Sequence, residues 1–227
     1  MASVAARRGH YPEIIREGIG DAWTGDVRVI DVRTDEALPA ADAVAGIVVT
    51  GSSHSVTEQL PWMKRAGAYL RAASEDGVPV LGLCFGHQLI ADAFGGKVLK
   101  NPRGREIGTV LLSLTEPAAT DPLFHGCARA MKIQATHVDS VVALPPDARL
   151  FGTTSLDPHA AYAIGDRVRC VQLHPELDAD IIRAYVEARA ALIQAEGLSF
   201  ESILGNVVEA PDAPKLLRNF AKLFARS

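Results

Sequence analysis

The sequence contains few cysteines, and their placement argues against a fold stabilised by disulfides. Three cysteines occur in 227 residues: Cys84, Cys127 and Cys170. An odd number of widely spaced cysteines is not the pattern of the disulfide frameworks that hold small secreted domains together. We therefore expect a reducing, cytoplasmic location for this protein.

Strong net charge and long apolar runs are also missing. The formal net charge is −4 and the pI is near 6.0, which gives no electrostatic reason to expect a nucleic acid as partner. No run approaches the roughly 20 apolar residues of a membrane-spanning helix. Residues 1–10 lack the apolar stretch of a secretory signal. With 48% hydrophobic residues, the composition favours a globular α/β protein without a membrane partner.

Short β-branched runs alternate with segments of helical periodicity in the first half of the chain. The strand-like runs are 27–33, 44–51 and 78–84, and helical spacing covers 60–77 and 85–96. This order predicts an open, mostly parallel sheet with helices on both faces. After Lys97, six short runs separated by Gly, Pro and Asp predict antiparallel additions to that sheet.

The last part of the chain returns to helical periodicity. One apolar stripe runs from Ile181 to Ile193, and a second runs from Leu216 to Phe224. We find no internal repeat and no linker-like boundary. We therefore predict one domain over residues 1–227.

One cysteine lies in an unusual setting, in the segment "GLCFG" at the junction of an apolar strand and a helical pattern. Gly82 and Gly86 flank Cys84 in the form G-x-C-x-G. In hydrolases, the version with a central serine is a sharp strand-to-helix turn that exposes the nucleophile at a helix N-terminus. Cys84 is thus a candidate nucleophile, although a small buried cysteine remains the alternative. Cys170, inside an apolar strand, is predicted to be a core residue, and nothing supports a catalytic role for Cys127.

A cysteine nucleophile usually works with a histidine that a third group orients. Seven histidines are candidates: His10, His54, His87, His125, His137, His159 and His174. His174 follows an apolar strand and is separated from Glu176 by one proline. In an extended segment both side chains would point the same way, so the carboxylate would reach the imidazole. A strand end with surface polar residues remains the alternative, and His87 is predicted to be structural.

Taken together, these motifs resemble those of class I glutamine amidotransferases. "GLCFGHQ" is similar to the family's nucleophile motif, and "VQLHPE" is similar to its histidine–glutamate motif. "VVTGSSHSV" falls where the family carries its oxyanion loop. "REIGTV" and "THVDSVVALP" resemble the glutaminase domain of GMP synthases and stand-alone relatives that hydrolyse γ-glutamyl peptides. The resemblance spans residues 47–176 and implies a flavodoxin-like, open sheet with helices on both faces.

The resemblance also implies roles for individual residues. Cys84 would be the nucleophile, His174 the general base and then acid, and Glu176 the group that orients His174. Backbone N–H groups would form the oxyanion hole and further side chains would contact the substrate. The implied oxyanion residues are Gly51, Ser52 and Phe85, and the implied substrate-binding residues are Gln88 and His137, with Asp139 nearby.

The chain departs from the family's common Gly-Gly-Pro loop, since residues 51–53 read Gly-Ser-Ser. A backbone N–H needs no particular side chain, so the oxyanion function is compatible with this change. The implied chemistry uses no cofactor, and no His or Cys spacing indicates a metal site. No P-loop is present that could serve a synthetase reaction in this chain.

Three functions remain open at this stage. The first is a stand-alone hydrolase of glutamine or a γ-glutamyl amide, which needs only a small-molecule substrate. The second is a glutaminase subunit that delivers ammonia to a separate synthetase. The third is a non-enzymatic module that keeps the fold.

Overall fold

A computed structural model describes residues 11–224 and shows an α/β fold around a seven-stranded sheet. His10 lies outside the described residues. The strands are β1 (Ile47–Val49), β2 (Val80–Leu83), β3 (Lys97–Lys100), β4 (Glu106–Leu114), β5 (Ala130–His137), β6 (Asp139–Ala143), β7 (Ala148–Thr153), β8 (Ala161–Ile164) and β9 (Val168–Val171). The α-helices are α1 (Tyr11–Ile19), α2 (Pro61–Glu75), α3 (Phe85–Ala93), α4 (Glu116–Ala119), α5 (Ala179–Ala188), α6 (Ala190–Ala195), α7 (Phe200–Gly205) and α8 (Ala213–Phe224). Short 3₁₀ turns occupy Gly20–Ala22, Ala41–Ala43, Val56–Glu58 and Pro122–Phe124.

The main sheet is mixed, with the order β1-β2-β9-β8-β7-β4-β5. The pairs β1/β2 and β2/β9 are parallel, and the other four neighbouring pairs are antiparallel. Five strands therefore run in one direction, whereas β4 and β8 oppose them. The α/β class and the antiparallel additions are confirmed, but the sheet is not uniformly parallel. β6 was expected in the main sheet and instead pairs with β3 in a separate two-stranded sheet, because β3 gives it an antiparallel partner.

Helices cover both faces of the sheet, as the apolar run at 78–84 indicates. Val80 packs into a cluster with α2 and α3, whereas its neighbours Leu81 and Leu83 pack into a second cluster with α8. All three side chains are fully buried. A strand with apolar residues on both sides is the expected sequence for a strand covered on both faces.

The strand predicted at 27–33 is wrong. The segment is a loop, and its side chains Val27 and Val29 are 41% and 60% exposed. Its attachment includes Arg65, which donates hydrogen bonds to the carbonyls of Val32 and Thr34. β-Branched residues favour a pleated, half-buried surface, and here no neighbouring strand supplies one.

The single helical stripe predicted from Ile181 to Ile193 is also interrupted. The backbone leaves the helical conformation at Arg189 (φ −110°, ψ 12°), which separates α5 from α6. Ile193 is fully buried, but Leu192 is 45% exposed. Neither glycine nor proline marks this break, so periodicity alone did not indicate it. Within residues 11–224, no helix combines the length and apolar character needed to cross a bilayer.

Candidate active site

Cys84 lies on a sharp turn between β2 and α3, where it is the N-cap residue of the helix. Its backbone has φ 50° and ψ −102°, a conformation that side-chain-bearing residues rarely adopt. The flanking glycines are required sterically. A Cβ at Gly86 would lie 2.3 Å from the carbonyl oxygen of Val49, and one at Gly82 would lie 2.8 Å from that of Gly86. The turn is therefore strained and tightly packed, as the motif predicts.

The structure brings Cys84, His174 and Glu176 together at the carboxyl ends of two parallel neighbours, β2 and β9. The Cys84 thiol interacts electrostatically with the His174 imidazole, and Nδ1 of His174 lies 2.7 Å from Oε1 of Glu176. Because Glu176 occupies Nδ1, Nε2 is the nitrogen that faces the thiol. All three residues are buried, at 7%, 2% and 8% exposure.

The His174–Glu176 contact arises from a turn, so the extended geometry expected from the sequence is wrong. Pro175 and Glu176 form the turn, and the N–H of Leu177 donates to the carbonyl of His174 at 3.3 Å. The His174 N–H donates to the carbonyl of Gln134 in β5 at 2.9 Å. The far edge strand of the sheet therefore helps to fix the imidazole.

The electrostatics of this cluster favour an ion pair. Burial would raise the pKa of the Cys84 thiol, but the charge and hydrogen bond of His174 hold that pKa below its ordinary value. Burial opposes the imidazolium, yet Cys84 and Glu176 hold the pKa of His174 well above its ordinary value. The arrangement therefore stabilises a thiolate beside an imidazolium, which is the reactive form of a cysteine nucleophile.

The residues implied as an oxyanion hole lie beside the thiol. Phe85 is the first residue of α3, where N–H groups have no carbonyl acceptor inside the helix. Gly51 lies so close that a Cβ there would be 3.0 Å from Cε1 of His174 and 3.8 Å from Cβ of Cys84. Ser52 follows it in the loop that lines the same cleft. Two backbone segments thus approach the position that a substrate carbonyl would occupy.

The implied substrate-binding residues line the same cleft. Gln88 is buried, and its Nε2 donates to the carbonyl of Asp139 and to Oε1 of Gln172, each at 2.9 Å. His137 ends β5 opposite Glu106 of β4. The structure thus brings Gln88, His137 and Asp139 to one wall of the cleft.

His137 is held as a cation by two acceptors. Its Nε2 lies 3.0 Å from a carboxylate oxygen of Glu106, and its Nδ1 lies 2.9 Å from the carbonyl oxygen of Asp139. Because both partners accept hydrogen bonds, both ring nitrogens carry a proton. Burial opposes this charge, but the Glu106 hydrogen bond and the nearby thiol keep the pKa of His137 above its ordinary value. A second positive charge therefore faces Cys84.

Most other histidines and cysteines have structural surroundings. His87 is fully buried, its Nε2–H donates to the carbonyl of His159 at 2.9 Å, and its pKa is lowered to about 3, mainly by burial. Cys170 is fully buried in β9, as predicted. Burial raises the pKa of the half-buried Cys127 to about 11. His54 lines the cleft and contacts Glu58 at 3.0 Å.

Sequence reasoning missed several residues of the cleft, whose volume is about 1280 Å³. Tyr185 was assigned to a core stripe, yet its hydroxyl hydrogen-bonds that of Tyr11, and both rings line the cleft. Arg105 and Arg189 lie on the same wall. No local motif marks them, since they meet only through packing. The described residues contain no group of three metal-ligating side chains.

Comparisons with known proteins point to one family. The profile of the family described as glutamine amidotransferase class-I matches residues 22–186. Gamma-glutamyl peptidase 4 of Arabidopsis thaliana is 32% identical over 72% of this chain and 65% of its own length. A GMP synthase of Streptomyces coelicolor is 31% identical over 88% of this chain and 36% of its own length. The chain therefore spans less than two thirds of these curated relatives.

A solved structure shows the same architecture. The glutamine amido transferase of Methylobacillus flagellatus superposes with a TM-score of 0.73 at 25% identity, covering 86% of this chain and 83% of that one. A glutamine amidotransferase of Thermotoga maritima, at 20% identity and a TM-score of 0.65 over 79% of this chain and 78% of that one, shares the fold. Because the family profile covers most of the sequence, this chain belongs to the class-I glutamine amidotransferase family.

Proposed function

We propose that this protein is a cysteine hydrolase that releases glutamate from glutamine or from a γ-glutamyl amide. The observation that carries the proposal is the buried chain of contacts from the strained Cys84 through His174 to Glu176. A structural cysteine needs neither a strained backbone nor an oriented imidazole. A nucleophile needs both accessibility at a helix N-terminus and a base.

The chemistry is acyl transfer to the thiol. The Cys84 thiolate attacks the δ-carbonyl carbon, and N–H groups of Phe85 and of the Gly51–Ser52 loop stabilise the oxyanion. The His174 imidazolium protonates the leaving amine as the carbon–nitrogen bond breaks, leaving a γ-glutamyl thioester. His174 then takes a proton from water, which attacks the thioester and releases glutamate and the free thiol. These steps use only protein groups and water.

The cleft wall supports a γ-glutamyl substrate. The buried Gln88 and His137 and the half-buried Asp139 place polar groups next to the nucleophile. Two relatives carry names that indicate a γ-glutamyl group as the acyl part of the substrate: Gamma-glutamyl peptidase 4 and GMP synthase [glutamine-hydrolyzing]. All three cysteines are unpaired. The nucleophile role requires a free thiol at Cys84, and the lack of disulfides among the three supports the proposed cytoplasmic location.

The direct test is glutamate release by the purified protein from glutamine and from γ-glutamyl peptides, together with labelling by diazo-oxo-norleucine. We expect turnover and labelling of the wild type and of Cys127→Ser, a matched control that removes a thiol away from the cleft. Cys84→Ser should lose both. An absence of turnover and of labelling in a folded wild type would overturn the proposal and favour a non-enzymatic module.

A second candidate is a glutaminase subunit that supplies ammonia to a separate synthetase. The alignments to GMP synthases favour it, since they cover 36% and 25% of those proteins and leave most of each unmatched. An ATP-using partner should then be captured with the protein and should accelerate glutamine hydrolysis. Full activity of the purified chain that no captured protein changes would reject this alternative.

A further inference from the structure

A buried line of polar side chains leads from Gln88 at the cleft wall through Gln172 to His87. These residues are 4%, 2% and 0% exposed. Each end of the line meets a backbone carbonyl. Nε2 of His87 lies 2.9 Å from the carbonyl oxygen of His159, and Nε2 of Gln88 lies 2.9 Å from that of Asp139. Because a carbonyl oxygen only accepts hydrogen bonds, both of these nitrogens donate.

The bond to the His159 carbonyl fixes the position of the proton on the His87 ring. Burial lowers the pKa of His87 to about 3, so the ring is neutral near neutral pH and its one proton lies on Nε2. Nδ1 is therefore an acceptor. Nδ1 and the amide nitrogen of Gln172 are both buried without a standard hydrogen-bond partner in residues 11–224. The Gln172 side chain acts on the pKa of His87, so the two groups are neighbours and a donor stands beside an acceptor.

The direction of the Gln172 amide decides that of the Gln88 amide. With its nitrogen toward His87, Gln172 presents Oε1 to Nε2 of Gln88 at 2.9 Å. Gln88 thus uses its two amide hydrogens on Gln172 and on the Asp139 carbonyl. A reversed Gln88 amide would place its oxygen against two acceptor oxygens and would lose both hydrogen bonds. Within residues 11–224, no group donates to Oε1 of Gln88, which leaves this oxygen for the cleft.

We propose that Gln172 and His87 are positioning residues that hold the Gln88 amide with its oxygen toward the substrate, so that the cleft selects a hydrogen-bond donor there. This inference rests on the proposed function, in which Gln88 is an implied substrate-binding residue. Neither Gln172 nor His87 lines the cleft itself. In glutamine the α-ammonium group is a donor, whereas the α-carboxylate only accepts. A cleft that presented the amide nitrogen would reverse this selection.

NMR of the full chain tests the amide orientation without any substrate. At neutral pH, the ring nitrogens of His87 should show a neutral imidazole protonated on Nε2, and both amide hydrogens of Gln88 should exchange slowly. Gln172→Met keeps the length of the side chain but removes its amide, so only the Gln88 hydrogen on the Asp139 carbonyl should stay protected. A cationic His87, or a ring protonated on Nδ1 alone, would overturn the proposal.

Kinetics with glutamine and with glutaramate, which lacks the α-ammonium group, test the selection. Gln172→Met should raise KM for glutamine by about 10-fold, the loss expected for one hydrogen bond to a charged group. It should change kcat little, because the contact is equally present in the ground state and the transition state. The KM or inhibition constant of glutaramate should hardly change. His87→Phe keeps the ring that packs on Tyr162 and should act in the same direction, since Gln172 loses its acceptor.

Asn219→Leu is the matched control, because it also removes an amide that donates two hydrogen bonds. Its nitrogen donates to the carbonyls of Leu123 and His125, and the residue does not line the cleft. This variant should leave both constants unchanged. If Gln172→Met weakens glutamine and glutaramate alike, or leaves glutamine unaffected, the positioning inference fails. If the wild type turns over no glutamine, the proposed function fails, and the His87 proton and the Gln88 exchange rates still decide the amide orientation.

Discussion

Replacing Cys84 by glycine and by alanine tests whether the nucleophile turn stores backbone strain. Both substitutions remove the thiol and its interaction with His174, so their difference reports the backbone alone. With φ 50° and ψ −102°, residue 84 occupies a region that strongly favours glycine. We therefore expect the glycine variant to be the more stable of the two.

The magnitude follows from two opposing contributions. A residue with a Cβ in a sparsely populated backbone region costs of order 1–3 kcal/mol. Glycine in place of alanine costs about 0.5–1 kcal/mol at an ordinary position because the unfolded chain gains entropy. The balance predicts that Cys84→Gly exceeds Cys84→Ala in free energy of unfolding by about 1 kcal/mol. For a chain of this length, that difference raises Tm by about 2–4 °C.

Thermal and denaturant unfolding of the two variants measures this difference, and Cys170 supplies the control. Cys170 is also buried but lies in the regular strand β9, so there the glycine variant should be less stable than the alanine variant. The prediction is a reversal of sign between the two positions. If glycine destabilises both positions alike, the turn is not strained and the argument for a preformed nucleophile loses its main support.

Three further predictions concern catalysis. Glu176→Gln should lower kcat for glutamine by about 100-fold, measured by glutamate release, because His174 loses the carboxylate that orients and charges it; an unchanged kcat would contradict the assignment. Near neutral pH, iodoacetamide should modify Cys84 before the more exposed Cys127, since His174 lowers the pKa of the Cys84 thiol and burial raises that of Cys127 to about 11. Peptide mass spectrometry gives the order of modification, and the reverse order would refute a thiolate at Cys84. Glu106→Gln should shift the pH midpoint of Cys84 labelling upward, because the His137 imidazolium loses its counter-ion and no longer stabilises the thiolate. A midpoint that does not move would show that the His137 charge does not act on the thiol.

The nucleophile turn and the helices beside it were predictable because their signals are local. Gly82 and Gly86, each two residues from Cys84, lack the Cβ atoms that would clash with the packed backbone. Such steric requirements act on the residue itself and appear directly in the sequence. The apolar run at 78–84 likewise reflects burial of β2 on both faces.

The approach of Glu176 to His174 was predicted correctly, but for the wrong geometric reason. The two residues meet through a turn at Pro175, whereas the sequence argument assumed an extended segment. Spacing of two residues permits contact in either conformation. A short separation therefore predicts proximity better than it predicts backbone shape.

Segment 27–33 shows where β propensity misleads. The run is β-branched, but a strand forms only where a neighbouring edge accepts its hydrogen bonds, and the structure has a loop there. β6 pairs with β3 in a separate sheet for a related reason, since the partner of a strand depends on the tertiary structure and not on the strand's own residues.

The sequence by itself determined the nucleophile turn, the buried strand before it and the histidine–glutamate pair, because each depends on residues a few positions apart. Only the tertiary structure decided that β5 supplies the carbonyl that holds His174, that Glu106 and Asp139 keep His137 charged, and that Tyr11 and Tyr185 meet at the cleft. Those contacts join residues far apart in the chain. Their energies depend on burial and on which charges packing brings together, and no local pattern of residue types records either quantity.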